Sequence, residues 1–272
     1  MPNQTERAEL FLALHHDAEP LLLPNAWDRG SARLLASLGF TALATTSSGF
    51  AATLGREDGS VSRAEAIEHA AAIAAATDLP VSADLEDGFA PDPEGVAATA
   101  RLALGAGLAG FSIEDYTRDP SSPIHDPALA ADRIAAAAEI AHGGPVHLVL
   151  TARAENYLHD RADLADTIAR LQSFQEAGAD VLYAPGVTDL AQIRQIVTSV
   201  DRPVNVLALP GMSPVADLAA AGVARISVGG AFAFAALGAV AQAARDLREQ
   251  GGYGFWELAR LGRAAARRAF AD

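Results

Sequence analysis

Glu176-Ala177-Gly178-Ala179-Asp180-Val181-Leu182-Tyr183-Ala184 carries the decision about the fold. A helical stretch ends at Gly178, where glycine takes the left-handed cap conformation at little cost. A short apolar run follows at once, and it does not alternate with polar residues. Such a run suits a parallel strand buried on both faces. The same punctuation recurs in Ser37-Leu38-Gly39-Phe40, in Gly105–Gly110 and in Ala220-Ala221-Gly222-Val223.

Working outward, strand-like runs fall at Leu21–Pro24, Thr41–Thr45, Pro80–Ala83, Gly110–Ile113, Val146–Thr151, Val181–Ala184, Val204–Leu207 and Arg225–Val228. Ala-rich helical segments lie between them, among them Arg63–Ala76, Pro127–His142, Ala162–Ala177 and Leu190–Val200. Eight strands alternating with helices predict a (β/α)8 TIM barrel, with a doubly wound open sheet as the rival. No linker or charge block divides residues 1–272, so a single domain with a C-terminal helical tail is expected. The tail, Tyr253–Asp272, is amphipathic and suited to pack on the barrel or on a neighbouring subunit. Gly105-Ala-Gly-Leu-Ala-Gly110 fits a dinucleotide-binding pattern, but it precedes a strand where the true fingerprint must follow one.

Composition removes several chemistries. Cysteine is absent, and every basic side chain besides histidine is arginine. Disulfides, thiolate zinc sites, a cysteine nucleophile, lysine Schiff bases and a P-loop are all excluded. The net charge of -14 argues against nucleic acid and anionic membrane as partners. Residues 1–10 show no signal-peptide pattern and no apolar run is long enough to span a bilayer, so a cytoplasmic protein is expected.

In a barrel the chemistry belongs at the C-terminal ends of the strands. Asp84-Leu85-Glu86-Asp87-Gly88 follows the third run, and Glu114-Asp115 ends the fourth. Carboxylates crowded on neighbouring strand ends repel unless a cation lies among them, and oxygen donors suit magnesium. Helix capping with solvated charge is the alternative. Thr45-Thr46-Ser47-Ser48-Gly49-Phe50 follows the second run and reads as a polar loop able to bind an anion through its hydroxyls and amides. Arg153 follows the fifth and suits capture of a carboxylate, or else a salt bridge to Glu114 or Glu155. Asn205 can offer a neutral hydrogen bond, and Gly229-Gly230 can begin an anion-binding helix. Among the histidines only His125, in the loop after Glu114, is a functional candidate.

These residues in this order, with Asn25-Ala26-Trp27-Asp28, Leu54-Gly55-Arg56-Glu57-Asp58 and Ser112-Ile113-Glu114-Asp115, resemble the isocitrate lyase/phosphoenolpyruvate mutase superfamily over nearly the whole chain. The resemblance implies a barrel whose C-terminal helix is exchanged between subunits of a homodimer or homotetramer. It implies Mg2+, with Mn2+ as a substitute, at Asp84, with Glu86 and Glu114 acting through water. It implies a small carboxylate substrate held by Ser47, Ser48, Gly49, Phe50 and Arg153, with Asp58 close by; Asn205 joins the candidate substrate-binding residues from its place at a strand end. The usual DxD is here Asp84-x-Glu86, and the Lys-x-Cys-Gly-His loop of the C–C lyases is replaced by Tyr116–Asp126. The expected function is therefore a lyase or decarboxylase acting on an α-keto or 2-hydroxy acid through an enolate, with Asp58, Arg153 and His125 as candidate catalytic groups. The alternatives are a phosphonate mutase or hydrolase, with Arg118 as its cationic loop residue, and a non-catalytic keto-acid-binding protein.

Overall fold

A computed structural model describes residues 2–271. In chain order the elements are α1 (Gln4–Leu14), β1 (Leu21–Leu23), β2 (Asn25–Ala26), α2 (Arg29–Ser37), β3 (Leu43–Thr45), α3 (Ser47–Thr53), α4 (Arg63–Ala74), β4 (Val81–Asp84), α5 (Pro93–Gly105) and β5 (Gly110–Glu114). There follow α6 (Pro127–His142), β6 (Val149–Arg153), α7 (Leu164–Glu176), β7 (Val181–Tyr183), α8 (Leu190–Ser199), β8 (Val204–Leu207), α9 (Val215–Ala220), β9 (Arg225–Ser227), α10 (Ala231–Gln250) and α11 (Trp256–Ala269).

All strand pairs are parallel, and β3 through β9 pair in sequence order. The barrel closes through its first strand, which Pro24 divides. Proline has no N–H to donate to a ladder. Leu21–Leu23 pairs with β9 on one side, while Asn25–Ala26 pairs with β3 on the other. Nine short strands thus make an eight-membered (β/α)8 barrel.

Local chemistry sets the element ends. Ser62 and Glu65 form a reciprocal capping box at α4, and Asp92 and Asp126 cap α5 and α6, each with proline in the first turn. Gly178 and Gly222, each just past a helix, have φ of 105° and 87°, as the sequence punctuation requires. The sixth strand begins at Val149, three residues later than the run Val146–Thr151 suggested, because His147 opens outward to bond Asp180.

Two apolar layers sandwich the sheet. Leu43, Phe111, Ile113, Leu150 and Phe174 belong to the large core, to which α4–α8 contribute. Inside the barrel, Phe11 of α1 plugs the N-terminal end against Leu21, Leu23, Val149 and Val181. The tail docks α11 on α2, with Arg33 stacked over Phe270 at 5.9 Å. By contrast α10 buries only Ala233, and Phe234, Leu237 and Val240 face outward. No helix of the described residues is long and apolar enough to cross a membrane.

Candidate active site

The C-terminal ends of the strands enclose a cavity of about 210 Å³, lined by Ser47, Asp58, Asp84, Arg153, Asn205 and Arg225 among others. A second chamber of about 240 Å³ shares Ser47, Asp58 and Arg153 with it and adds Glu86, Glu114 and Arg118. The strand-end carboxylates, Arg153 and Asn205 are thus gathered around one mouth.

Asp84 ends β4, where its N–H donates to the Thr45 hydroxyl at 2.9 Å. Its two carboxylate oxygens accept from the Ser47 N–H and from Arg153, each at 3.0 Å. Arg153 is the hub of the mouth. Its other guanidinium nitrogens meet Glu114 at 3.1 Å and Glu155 at 2.9 Å, and its plane lies 5.2 Å from the Tyr183 ring centroid. The salt-bridge alternative for Arg153 is therefore realised, with Asp84 as a third acid. Burial opposes its charge, yet Glu155, Glu114 and Asp84 together raise its pKa well above the ordinary arginine value.

The acids outnumber the cations that serve them. Burial, then the charge of Asp84, push Glu86 up to about 8 although Arg118 lies 2.8 Å away. Burial also raises Glu114 well above the usual carboxylate range, against the pull of Arg153. Arg118 binds Glu86, both oxygens of Asp87 and the Gly59 carbonyl, so it ties three loops across the mouth. Glu86 and Arg118 hold this clasp from the left-handed region, with φ of 49° and 64°, a conformation that costs non-glycine residues free energy.

The three proposed metal ligands do not converge on one point. Among the described residues the only three potential ligand atoms within 4.8 Å of one another belong to His142, His147 and Asp180. That group lies at the opposite end of the barrel, where Asp180 joins both stacked imidazoles to the Leu150 N–H. At the mouth, Asp84 and Glu114 meet through Arg153, while Glu86 is drawn to Arg118. An all-oxygen set with excess acid and separated carboxylates still fits a cation that keeps several waters, as magnesium does, better than one that demands a closed shell.

Other expected site residues are distributed unevenly. Ser47–Phe50 is the first part of α3 rather than a loop. Thr46 caps that helix, its hydroxyl accepting the Gly49 N–H at 3.3 Å. Ser47 and Ser48 line the central cavity. Gly49 is buried where a Cβ would come within 2.6 Å of the Thr46 methyl, and Phe50 turns away to stack on His69 at 3.7 Å. Asp58 is exposed at the rim of both chambers. His125 lies behind the clasp, in a separate cavity with Asp87 and Arg118, and does not line the central one. The Gly229 N–H, at the expected helix-start anion site, already donates to the Asn25 side chain at 2.9 Å. Glu155, Tyr183 and Arg225 were not singled out as site residues in the sequence. Glu155 had a weak signal, two positions after Arg153, while Tyr183 and Arg225 sit inside or at the start of apolar runs.

A parallel barrel with its polar residues gathered at the strand C-termini is the arrangement through which barrel enzymes act. Residues 11–248 match the family model for phosphoenolpyruvate phosphomutase, and the chain belongs to that family, within the isocitrate lyase/phosphoenolpyruvate mutase superfamily. A crystal structure from Burkholderia cenocepacia, provisionally assigned as a lyase/mutase, is 49% identical and superposes with a TM-score of 0.95 over 98% of this chain and 97% of that one. The 2-methylisocitrate lyase of Escherichia coli is 30% identical over 202 residues, covering 71% of this chain and 67% of that enzyme. The oxaloacetate decarboxylase of Chromohalobacter salexigens is 27% identical over 260 residues, 91% of this chain and 88% of that enzyme.

Proposed function

We propose that this chain is a lyase or decarboxylase that acts on a small α-keto or 2-hydroxy carboxylic acid and depends on Mg2+, for which Mn2+ can substitute. The observation that carries the reading is the excess of acid gathered at the strand ends, where Asp84, Glu114 and Glu155 share Arg153 while Glu86 and Asp87 share Arg118. Asp84, Glu86 and Glu114 would hold the cation, the latter two through water. When bound, it supplies electrophilic stabilisation of the negative charge that develops on the carbonyl oxygen as the neighbouring bond breaks.

The chain's own groups do the rest. Arg153 would meet the ligand carboxylate at the mouth in exchange for one of the three acids it holds. Ser47 and Ser48 face the cavity and orient the ligand, and Asn205 lines its wall. Decarboxylation needs no proton on its leaving group, so the absence of a cysteine acid is no obstacle to it. Cleavage of a 2-hydroxy acid needs a base, and Asp58 at the rim is better placed than His125 behind the clasp. The named relatives, a C–C lyase and a decarboxylase, support the same class. Arg118, the cation that a phosphonate enzyme would use for closure, is engaged by Glu86 and Asp87. We further assign the chain to a homodimer or homotetramer, because the outward apolar face of α10 lacks cover from its own barrel; the expected exchange of the C-terminal helix would have to involve α10, since α11 packs on α2 of its own chain. Light scattering would give a monomer mass if that assignment is wrong.

A thermal-shift screen of keto and 2-hydroxy acids, with and without Mg2+, tests the activity, followed by NMR for product. A ligand that binds the folded state must raise the melting temperature. Mg2+-dependent stabilisation with new product signals is expected. Stabilisation without product would favour a keto-acid-binding protein, and no stabilisation by any carboxylate would refute the reading.

A further inference from the structure

The strand register leads away from the mouth to a second arginine. Glu114 pairs with Arg153, Arg153 with Tyr183, Tyr183 with Asn205 and Asn205 with Arg225. In an eight-stranded barrel of this kind the register slips by about one residue per strand, so such a row descends as it crosses the sheet. It ends at Arg225, the first residue of β9, whose backbone lies beside Leu21 of the apolar floor. Arg225 nevertheless lines the same cavity of about 210 Å³ as Asp84 and Arg153.

Arg225 is 4% exposed. Its Nε donates to Asn205 Oδ1, its Nη2 to Thr151 Oγ1, and its Nη1 meets His15 Nε2, all at 3.0 Å. Each of these partners is neutral. Burial, with the charge of Arg225 behind it, lowers His15 to about 3, so the imidazole accepts and does not add charge. No carboxylate of the described residues lies within 4.0 Å of Arg225. Burial and the distant charge of Arg153 bring Arg225 down to about 9, which leaves it cationic at neutral pH.

A buried charge is costly unless it is paired, and a guanidinium has five N–H donors. Three neutral acceptors fix the orientation of this one without balancing it. The other two arginines nearby cannot serve an extra anion equally: Arg153 already meets three carboxylates and Arg118 two. We propose that Arg225 forms the floor of the ligand site and takes a second carboxylate, so that the substrate is a compact dicarboxylic acid with one end at the Asp84–Arg153 mouth and the other on Arg225. The chamber that Arg225 lines, about 210 Å³, is smaller than the roughly 300–1,000 Å³ of drug-sized sites, which suits a short diacid. The inference rests on the reading of this cavity as a keto- or hydroxy-acid site.

Titration calorimetry with Mg2+ present, comparing malate with lactate, tests it. The two are 2-hydroxy acids that differ by one carboxylate. Wild-type protein is expected to bind malate at least about tenfold more tightly than lactate, as one charge-assisted contact allows. Arg225→Met should abolish that preference by weakening malate while leaving lactate within about twofold, and Arg225→Lys should restore part of it. Equal binding of the two acids by wild type would overturn the role of Arg225 and leave the proposed function standing. So would an undiminished malate preference in a folded Arg225→Met protein. Binding of neither acid by wild type would overturn both. If the Met variant does not fold, Arg225→Lys carries the test: a malate preference equal to that of wild type, with the guanidinium fork gone, would overturn the role of Arg225.

Discussion

Arg153 and Arg225 are both buried in one barrel, and their surroundings treat them in opposite ways. At the mouth Arg153 is met by Asp84, Glu114 and Glu155 at 3.0, 3.1 and 2.9 Å. At the floor Arg225 is met by an asparagine, a threonine and a neutral histidine. The pKa of the first is raised well above the ordinary arginine value, and that of the second is lowered to about 9. The same side chain is an organising counter-ion in one place and an unbalanced charge in the other. The excess acid at the mouth supports the proposed cation site, and the unbalanced charge at the floor supports the proposed subsite for a second carboxylate.

The largest expected effect comes from removing each charge. Arg153→Met would leave three buried carboxylates without their shared partner, a change that costs about 3–5 kcal/mol. Arg225→Met would strand only neutral acceptors, at about 1–3 kcal/mol, and would relieve the burial of a cation. Urea denaturation of both variants without ligand measures the contrast; equal losses would break it.

The pH dependence sharpens the comparison. Glu86, at about 8 in the folded protein, lies above its unfolded value, so the native state holds the extra proton between the two. Without metal its contribution is complete below the unfolded pKa and is lost as pH rises toward 8. His15, lowered to about 3, acts in the other direction: its contribution is present above the unfolded histidine pKa and is lost as pH falls toward 3. Melting curves should therefore show Glu86→Gln removing the decline between about pH 4.5 and about 8, and Mg2+ raising the melting temperature more at pH 8 than at acid pH. A decline over that window unchanged in Glu86→Gln would contradict this electrostatic picture of the mouth.

The smallest effect concerns packing beneath the mouth. Gly49→Ala would bring a Cβ within 2.6 Å of the Thr46 methyl and 3.1 Å of Trp27 Cβ, at about 1–2 kcal/mol. Chemical denaturation reads the change, and a neutral result would mean that α3 yields more easily than its packing suggests.

The sequence made the mouth legible and left the floor obscure. Asp84, Glu114 and Arg153 each close an apolar run, and barrel topology turns the ends of such runs into neighbours. Arg225 opens its run, and its meaning depends on His15, which lies 210 residues away in sequence. No local pattern encodes that contact. The division of the first strand follows from Pro24, a visible signal whose consequence needed the partners on both sides. The helix at Ser47–Thr53 was masked by its polar start and Gly49, although Thr46 is an ordinary cap residue. The side chains of Phe50 and His125 face away from the cavity because packing turned them, on His69 and behind Arg118, which spacing alone does not report.

The most direct test of the proposed metal site at the mouth is Asp84→Asn, assayed by NMR for Mg2+-dependent product formation from the keto or hydroxy acid that stabilises wild type. This nearly isosteric change removes one of the three charges that meet Arg153. We expect turnover to fall by about 10²–10³-fold, together with the Mg2+-dependent thermal shift. Wild-type turnover that persists in Asp84→Asn, or that never needed Mg2+, would contradict the assignment.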